Sequence, residues 1–297
     1  MKYYSYFPGC SLSEGTAVAY GISTRAISSV LDMELIELED WNCCGSTPYS
    51  STDELQSVCI AARDLALAEK TGLDLVTPCS ACYTTLNRTI SQLKQYPDLK
   101  GKVDEVLAGV GLEYKGEIRV RHLFEVIYND IGLEFIESKV VNPLRGLRIA
   151  PYYGCQLVRP EPGFDNLHNP QSLDRLITSL GAELVPFPLK DRCCGSSLVI
   201  SEIDLALGLI HLLLESAASN GAQCIITVCP LCYTNLDAYQ GMVNGKFRTR
   251  YNLPVLFFTQ LIGLALGVEP KVLALDKGAV SAKGILAPFT MVSKPTM

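Results

Sequence analysis

The chain is poor in histidine and in charge, and has no long hydrophobic run. It holds only three histidines among 297 residues. His122 is expected to end a strand, His168 to sit in a polar loop and His211 to lie on an apolar helix. None lies near a cysteine group in sequence, so each is expected to be structural or surface. Charged residues make up 19% and the formal net charge is −6. No basic stretch is present that could track phosphates, which argues against a nucleic-acid partner. The most apolar stretch is Leu253 to Val268, only 16 residues, with Pro254 and Gln260 inside it. A membrane span needs roughly 20 apolar residues, so this stretch reads as a strand running into a buried helix, with no membrane insertion. The N-terminus, MKYYSYFPGC, lacks an apolar core followed by a cleavage site and reads as the mature start of a cytoplasmic protein.

What the chain does have is a hydrophobic content of 48% and twelve cysteines. A chain of this length buries real cores without disulfide staples, as one large domain or two of about 150 residues each. Twelve thiols in a cytoplasmic chain fit a disulfide scaffold poorly, because that compartment keeps them reduced. Metal ligation is the better account.

Ten of the cysteines form two sets in the same order. Cys10, Cys43, Cys44, Cys79 and Cys82 make the first, and Cys155, Cys193, Cys194, Cys229 and Cys232 the second. Each set reads C, a long spacer, Cys-Cys, a spacer of 34 residues that opens with glycine, then C-x-x-C. A shift of 150 positions superposes the Cys-Cys-Gly and C-x-x-C segments; the leading cysteines are 145 apart. The same shift puts Thr77 on Thr227 and Cys82-Tyr83-Thr84 on Cys232-Tyr233-Thr234. This is internal duplication.

A coarse reading gives the same alternation in each half. Strands are expected at 2–9, 33–39, 74–78 and 117–123, then at 146–153, 183–187, 223–228 and 253–258. Helices are expected at 15–31, 52–70 and 80–96, with another after residue 123, then at 171–181, 201–219, 231–241 and 260–267. Alternating strands and helices predict an α/β fold of mainly parallel sheets covered on both faces. The leading and C-x-x-C cysteines follow strands, at the carboxyl rim where sites assemble in such sheets. The halves are expected to divide near Asn142-Pro143, giving an N-terminal unit over 1–143 and a C-terminal unit over 144–297. From Glu269 onward no cysteine occurs; that extension reads as an ordered addition, a partner arm or a loosely held terminus.

Five thiols are too many for one tetrahedral zinc or one four-cysteine iron–sulfur cube. A C-x-x-C alone would also suit a redox dithiol or half a zinc site, and zinc in one half stays an alternative. Adjacent thiolates reach two neighbouring irons more easily than one small ion. The glycine that follows, Gly45 or Gly195, lets the backbone turn without a Cβ in the way. Cys59 and Cys224 fall outside the pattern; the repeat mate of Cys59 is Leu209, and both cysteines read as core filler.

The segments YFPGC, WNCCG, TPCSACY and CPLCY, with FFTQLIGLALG in support, resemble the tandem cysteine-rich CCG family typified by the B subunit of heterodisulfide reductase. That resemblance implies two CCG domains related by a pseudo-two-fold axis. It implies that all ten set cysteines hold two noncubane [4Fe–4S] clusters, five to each. The clusters would bracket and cleave a disulfide, such as that of coenzyme M and coenzyme B in methanogenesis, making the chain an oxidoreductase acting on a sulfur group. Implied partners are the ferredoxin-like C subunit and the flavin-containing A subunit of such a complex, with hydrogenase or formate dehydrogenase attached in some cases. Two other roles stay open: an electron-transfer subunit beside a glycolate or lactate oxidase or in a quinone-linked complex, and a sulfur-oxidising complex of the same type. Tyr83 and Tyr233, with Thr84 and Thr234, are read as donors to cluster sulfurs or as helix packing. Arg159 is read as a contact for an anionic substrate or as surface charge.

Overall fold

The computed structural model describes residues 1–13, 15–46, 49–159 and 163–290. It contains two four-stranded sheets, and every strand pairing in them is parallel. The first holds β1 (Lys2–Tyr6), β2 (Met33–Glu37), β3 (Leu75–Thr77) and β4 (Val120–His122) in the order β2-β1-β3-β4. The second holds β5 (Arg148–Tyr152), β6 (Glu183–Leu184), β7 (Cys224–Thr227) and β8 (Val255–Phe257) in the order β6-β5-β7-β8. The expected α/β class is therefore the observed one, and the two halves share one topology.

The central strands explain their own position. β3 and β7 are buried along their whole length, as strands covered on both faces must be, and they read as short apolar runs. Ser5 pairs with Leu75 and Thr77 with His122 in the first sheet; Pro151 pairs with Ile226 and Thr227 with Phe257 in the second. In each sheet the chain leaves its first strand to one side, then crosses back to the other. The direction of winding reverses between β1 and β3, and between β5 and β7. A crevice opens outside the carboxyl ends at such a point.

Most expected helices are present with trimmed ends: Val18–Val30, Glu54–Glu69, Ser80–Gln95, Ser172–Ser179, Ile203–Ser219, Pro230–Ala238 and Phe258–Ala265. Asp53 caps the second of these by accepting the Gln56 N–H at 2.9 Å. Helices at Pro97–Ala108 and Gln240–Phe247 lie outside those expectations. The first starts with proline at a position whose N–H needs no intrahelical partner.

The halves share a core. Tyr20, on the helix after the first leading cysteine, stacks on Phe257 with ring centroids 4.2 Å apart. Its hydroxyl donates to the Val228 carbonyl at 3.2 Å. Ser23 and Thr259 hydroxyls lie 2.7 Å apart across the same seam. Phe124 meets Phe258 edge-on at 5.0 Å. A second apolar cluster, built on Phe7, Leu65, Leu75 and Leu86, covers the other face of the first sheet.

The extension beyond Glu269 is ordered as far as Thr290, through a 3₁₀ turn at Pro270–Leu273 and a helix at Lys283–Thr290. Residues 291–297 lie outside the described part. Leu273 and Leu286 are buried. Gln260 reaches the extension, donating to the carbonyls of Leu273 and Ala274 at 3.0 and 3.2 Å and accepting the Phe257 N–H at 3.0 Å. Because Gln260→Leu leaves those buried groups unpaired, it is expected to lower stability by roughly 3 kcal/mol, read as a fall in the urea midpoint at unchanged slope.

Candidate metal centres

The topology delivers the ten thiols to two rims. Cys10 follows β1, Cys43 and Cys44 lie in the loop after β2, and Cys79 follows β3. Cys155, the Cys193-Cys194 pair and Cys229 follow β5, β6 and β7 in the same way. Each rim is the one where the sheet's winding reverses. Cys79 and Cys229 are the N-cap residues of the Ser80–Gln95 and Pro230–Ala238 helices. The Thr77 and Thr227 hydroxyl oxygens each accept the N–H of the cysteine two residues on, at 3.4 Å in both halves. These matched threonines hold the two C-x-x-C turns alike.

Sulfur positions repeat between halves. Cys44 Sγ lies 3.2 Å from Cys82 Sγ, and Cys194 Sγ lies 3.6 Å from Cys232 Sγ. Cys10 Sγ and Cys43 Sγ are 3.8 Å apart. Among the described residues, no three His, Cys, Asp or Glu side chains form a cage for a single metal ion; the thiols converge as pairs. In each set the second cysteine of the Cys-Cys pair and both C-x-x-C cysteines are buried, whereas Cys10 and Cys43 are exposed and Cys155 and Cys193 half-buried. Both thiol sets thus have a sealed inner side and an open outer side.

Glycine makes the close approach to sulfur feasible. A Cβ on Gly154 would sit 2.9 Å from Cys232 Sγ, and one on Gly9 3.1 Å from Cys82 Sγ. Both glycines also have positive φ, +68° and +74°, where a side chain is strained. So the residue before each leading cysteine is kept free of side chain on the side facing the C-x-x-C.

Neighbouring thiols split their proton affinities. The Cys43 and Cys82 thiols bonded to Cys44 pull it down to about 5, and Cys82 is pushed up by its contacts with Cys44 and Cys79 and by burial. A bond from Cys232 brings Cys229 down to about 7, helped by backbone N–H groups and the Ser80 hydroxyl. Cys155 donates to Cys193, which falls to about 6, with the Gly195 N–H and the Arg159 charge assisting. The Gly195 N–H is 3.3 Å from Cys193 Sγ. Arg159 therefore acts on the second set through its field.

The two Cys-Cys loops are locked by different means. In the first half the buried Asp64 carboxylate accepts the Asn42 N–H at 2.9 Å, and Arg63 donates to Asn42 Oδ1 at 2.9 Å. In the second, the Tyr152 hydroxyl donates to the Arg192 carbonyl at 2.7 Å, and Lys190 pairs with Asp174 at 2.8 Å.

Tyr233, Thr84 and Thr234 follow the packing alternative. Tyr233 does not direct its hydroxyl at sulfur: it bonds Asp237 and its ring stacks on Phe257 at 4.4 Å. Thr84 and Thr234 bond across the seam, Thr84 to the Gln156 carbonyl at 2.9 Å and Thr234 to Thr16 at 2.5 Å. His122 ends β4 and is fully buried, as a structural histidine should be, and its Nε2 lies 3.2 Å from the hydroxyl of Ser80, next to Cys79. Tyr83 packs its ring edge-on against His122 at 5.8 Å. Spacing and periodicity do not point to Ser80 or to its contact with His122; the contrast between Cys-Ser-Ala-Cys and Cys-Pro-Leu-Cys is the one signal the sequence offers for it. Cys224 is fully buried in β7, as a core residue should be.

Comparison with known proteins comes down on one family. The profile of the Cysteine-rich domain (CCG) matches residues 4–87 and 149–237. The chain is 36% identical over 283 residues to the 8-methylmenaquinol:fumarate reductase membrane anchor subunit of Wolinella succinogenes, covering 95% of this chain and 98% of that protein. It is 32% identical over 276 residues to the B subunit of the ferredoxin/F(420)H(2)-dependent CoB-CoM heterodisulfide reductase of Methanosarcina acetivorans, covering 91% and 92%. A solved hypothetical protein from Helicobacter pylori shares the fold, with a TM-score of 0.76 at 16% identity; the match covers 95% of this chain and 52% of that one. No helix among the described residues is long and apolar enough to cross a membrane.

Two measurements follow from these geometries. In metal-free protein Cys193, half-buried with a lowered pKa, is expected to alkylate before Cys194, Cys229 and Cys232 at neutral pH, and Arg159→Ala to slow it; peptide mass mapping reads both. Burial pushes His122 from 6.5 down to about 3. The unfolded chain therefore takes up a proton that the folded one refuses. This contribution is full above pH 6.5 and is lost as pH falls toward 3. His122→Phe is expected to flatten that part of the stability profile, measured by urea unfolding of metal-free protein.

Proposed function

Because the chain belongs to the Cysteine-rich domain (CCG) family, we propose that it is an iron–sulfur redox subunit that reduces a disulfide in a heterodisulfide reductase-type complex. The carrying observation is that both halves keep all five thiols and that each C-x-x-C helix bonds the other half, Thr84 to Gln156 and Thr234 to Thr16. The donors are all sulfur, which suits iron–sulfur centres, and Gly9 and Gly154 leave room beside Cys82 and Cys232. Cys10, Cys43, Cys44, Cys79 and Cys82 would hold one noncubane [4Fe–4S] centre; Cys155, Cys193, Cys194, Cys229 and Cys232 would hold the other. When bound, each centre supplies one-electron exchange.

The reaction takes two electrons and two protons: one S–S bond breaks and two S–H bonds form. Two one-electron sites in one chain match that requirement. The buried thiols exclude water from the inner side of each centre, and the outer side at Cys10, Cys43, Cys155 and Cys193 is where a small disulfide gains access. Arg159, beside Cys155 and Cys193, adds positive charge there and favours an anionic substrate. Electrons would come from a ferredoxin-like subunit supplied by a flavin-containing one.

A second reading is favoured by the similarity to the Wolinella fumarate reductase subunit: passage of electrons within a quinol-linked complex, with no disulfide turned over. The assay separates them. Reconstituted chain is expected to bind about eight irons, four per centre, and to reduce coenzyme M–coenzyme B disulfide with a reduced viologen. Cys43→Ser and Cys193→Ser should each lower that rate by more than about 100-fold, while iron falls to about half. Cys59→Ala should leave iron content unchanged. Full iron with no disulfide reduction sinks the first reading in favour of the second; zinc without iron sinks both.

A further inference from the structure

Thr84 and Thr234 hold the same place in the two halves, two residues after the last cysteine of each C-x-x-C. A threonine inside a helix turns its hydroxyl back to a carbonyl of the preceding turn. Thr84 does so to Ser80 at 3.0 Å, and Thr234 to Pro230 at 3.1 Å. Ser80 and Pro230 directly follow Cys79 and Cys229. Each hydroxyl is thus anchored beside a C-x-x-C cysteine of its own set.

Each hydroxyl also crosses the seam. Thr84 Oγ1 lies 2.9 Å from the Gln156 carbonyl oxygen, and Gln156 directly follows Cys155. Its one hydrogen is therefore shared between a carbonyl next to Cys79 and a carbonyl next to Cys155. Thr234 Oγ1 lies 2.5 Å from Thr16 Oγ1. The Thr234 hydrogen goes to Pro230, so Thr16 donates to Thr234. Ala17, next to Thr16, gives its N–H to the Ser11 carbonyl at 3.1 Å, and Ser11 directly follows Cys10. The C-x-x-C helix of each half thereby grips the stretch that carries the leading cysteine of the other.

The leading cysteines are the thiols that need such a grip. Cys10 is exposed and Cys155 half-buried, whereas both C-x-x-C cysteines of each set are buried. Close packing fixes a buried thiol, but at the open side directional bonds to the backbone must do it. Before Cys155 its own half supplies them, as the Tyr153 and Gly154 N–H groups donate to the Lys190 carbonyl at 2.9 and 3.1 Å. After Cys155 the bond comes from Thr84.

We propose that Thr84 is a positioning residue for Cys155, and Thr234, through Thr16, for Cys10, so that each set has its open-side thiol held in place by the opposite half. This rests on the reading that the ten thiols hold two iron–sulfur centres. Retention of iron in either centre then depends on a hydroxyl across the seam, and neither half completes its site alone.

The test is anaerobic release of iron from the loaded full chain to an iron(II) chelator, followed by absorbance after iron has been counted. Cys43→Ser leaves the second centre to be read, and Cys193→Ser the first. Thr84→Val keeps the branched side chain and loses the hydroxyl. It is expected to speed release about tenfold, the scale of one lost hydrogen bond, in the Cys43→Ser background, and to leave the rate unchanged in the Cys193→Ser background. Thr234→Val is expected to show the reverse pattern, and Thr84→Ser to restore the rate seen with threonine. Acceleration confined to the half that carries the substitution, equal acceleration of both centres, no acceleration, or failure of Thr84→Ser to restore the rate would overturn the inference while leaving the two-centre reading intact. Wild-type chain that takes up no iron overturns both. Should Thr84→Val fail to fold, Thr234→Val in the two backgrounds decides alone.

Discussion

The seam between the halves, centred on Tyr20 against Phe257, is the contact on which the rest of the molecule depends. Tyr20 sits on the helix that follows the first leading cysteine, and Phe257 ends the last strand of the second sheet. Their stacking and the Tyr20 bond to Val228 bring the carboxyl rim of one sheet against that of the other. Val228 is the residue before Cys229, so the seam fixes a ligand position as well as a domain orientation. Burial of aromatic surface here is non-directional, but the hydroxyl bonds of Tyr20, Ser23 and Thr84 are directional and set the register. A duplicated fold without that seam would be two separate thiol sites.

Much of this was legible in the sequence, for a physical reason. Strands buried on both faces read as apolar runs, and the order of short strands and helices admits few topologies. The cysteines fall just beyond those strands, so their convergence on a rim follows from connectivity alone. What stayed hidden was lateral. Ser80 opens the helix after β3 and His122 ends β4, and no spacing within a single repeat reveals that their side chains meet. Tyr233 stayed open between sulfur and packing because its position after the C-x-x-C is the same in both halves. The side chain four residues on decides its bond: Asp237 lies on the same helix face and takes the hydroxyl. The Pro97–Ala108 helix was obscured by Gly101 and by charges spread around it, which leave only Val103 and Leu107 buried.

The halves agree in their ligands and differ in their supports. Asp64 and Arg63 hold one Cys-Cys loop; Tyr152, Lys190 and Asp174 hold the other. The threonines before the C-x-x-C turns and the glycines before the leading cysteines are common to both. Duplication thus preserved the turn threonines and the glycines that crowd sulfur and let the outer scaffolding drift. Drift in the supports is a route to unequal chemistry from equal donors.

The bond from Asp237 to the C-terminal extension sets a practical boundary. Asp237 accepts the backbone N–H groups of Ala279 and Val280, at 2.5 and 3.1 Å, from a helix that also carries Cys232. Gln260 needs the carbonyls of Leu273 and Ala274 in the same stretch. A gene trimmed at the end of the repeat would strand a carboxylate and an amide in the protein interior, the carboxylate on the very helix that bears a sulfur ligand. Shortened versions of this chain that stop near Glu269 would therefore lose the cysteine helix's anchorage even though they retain every cysteine.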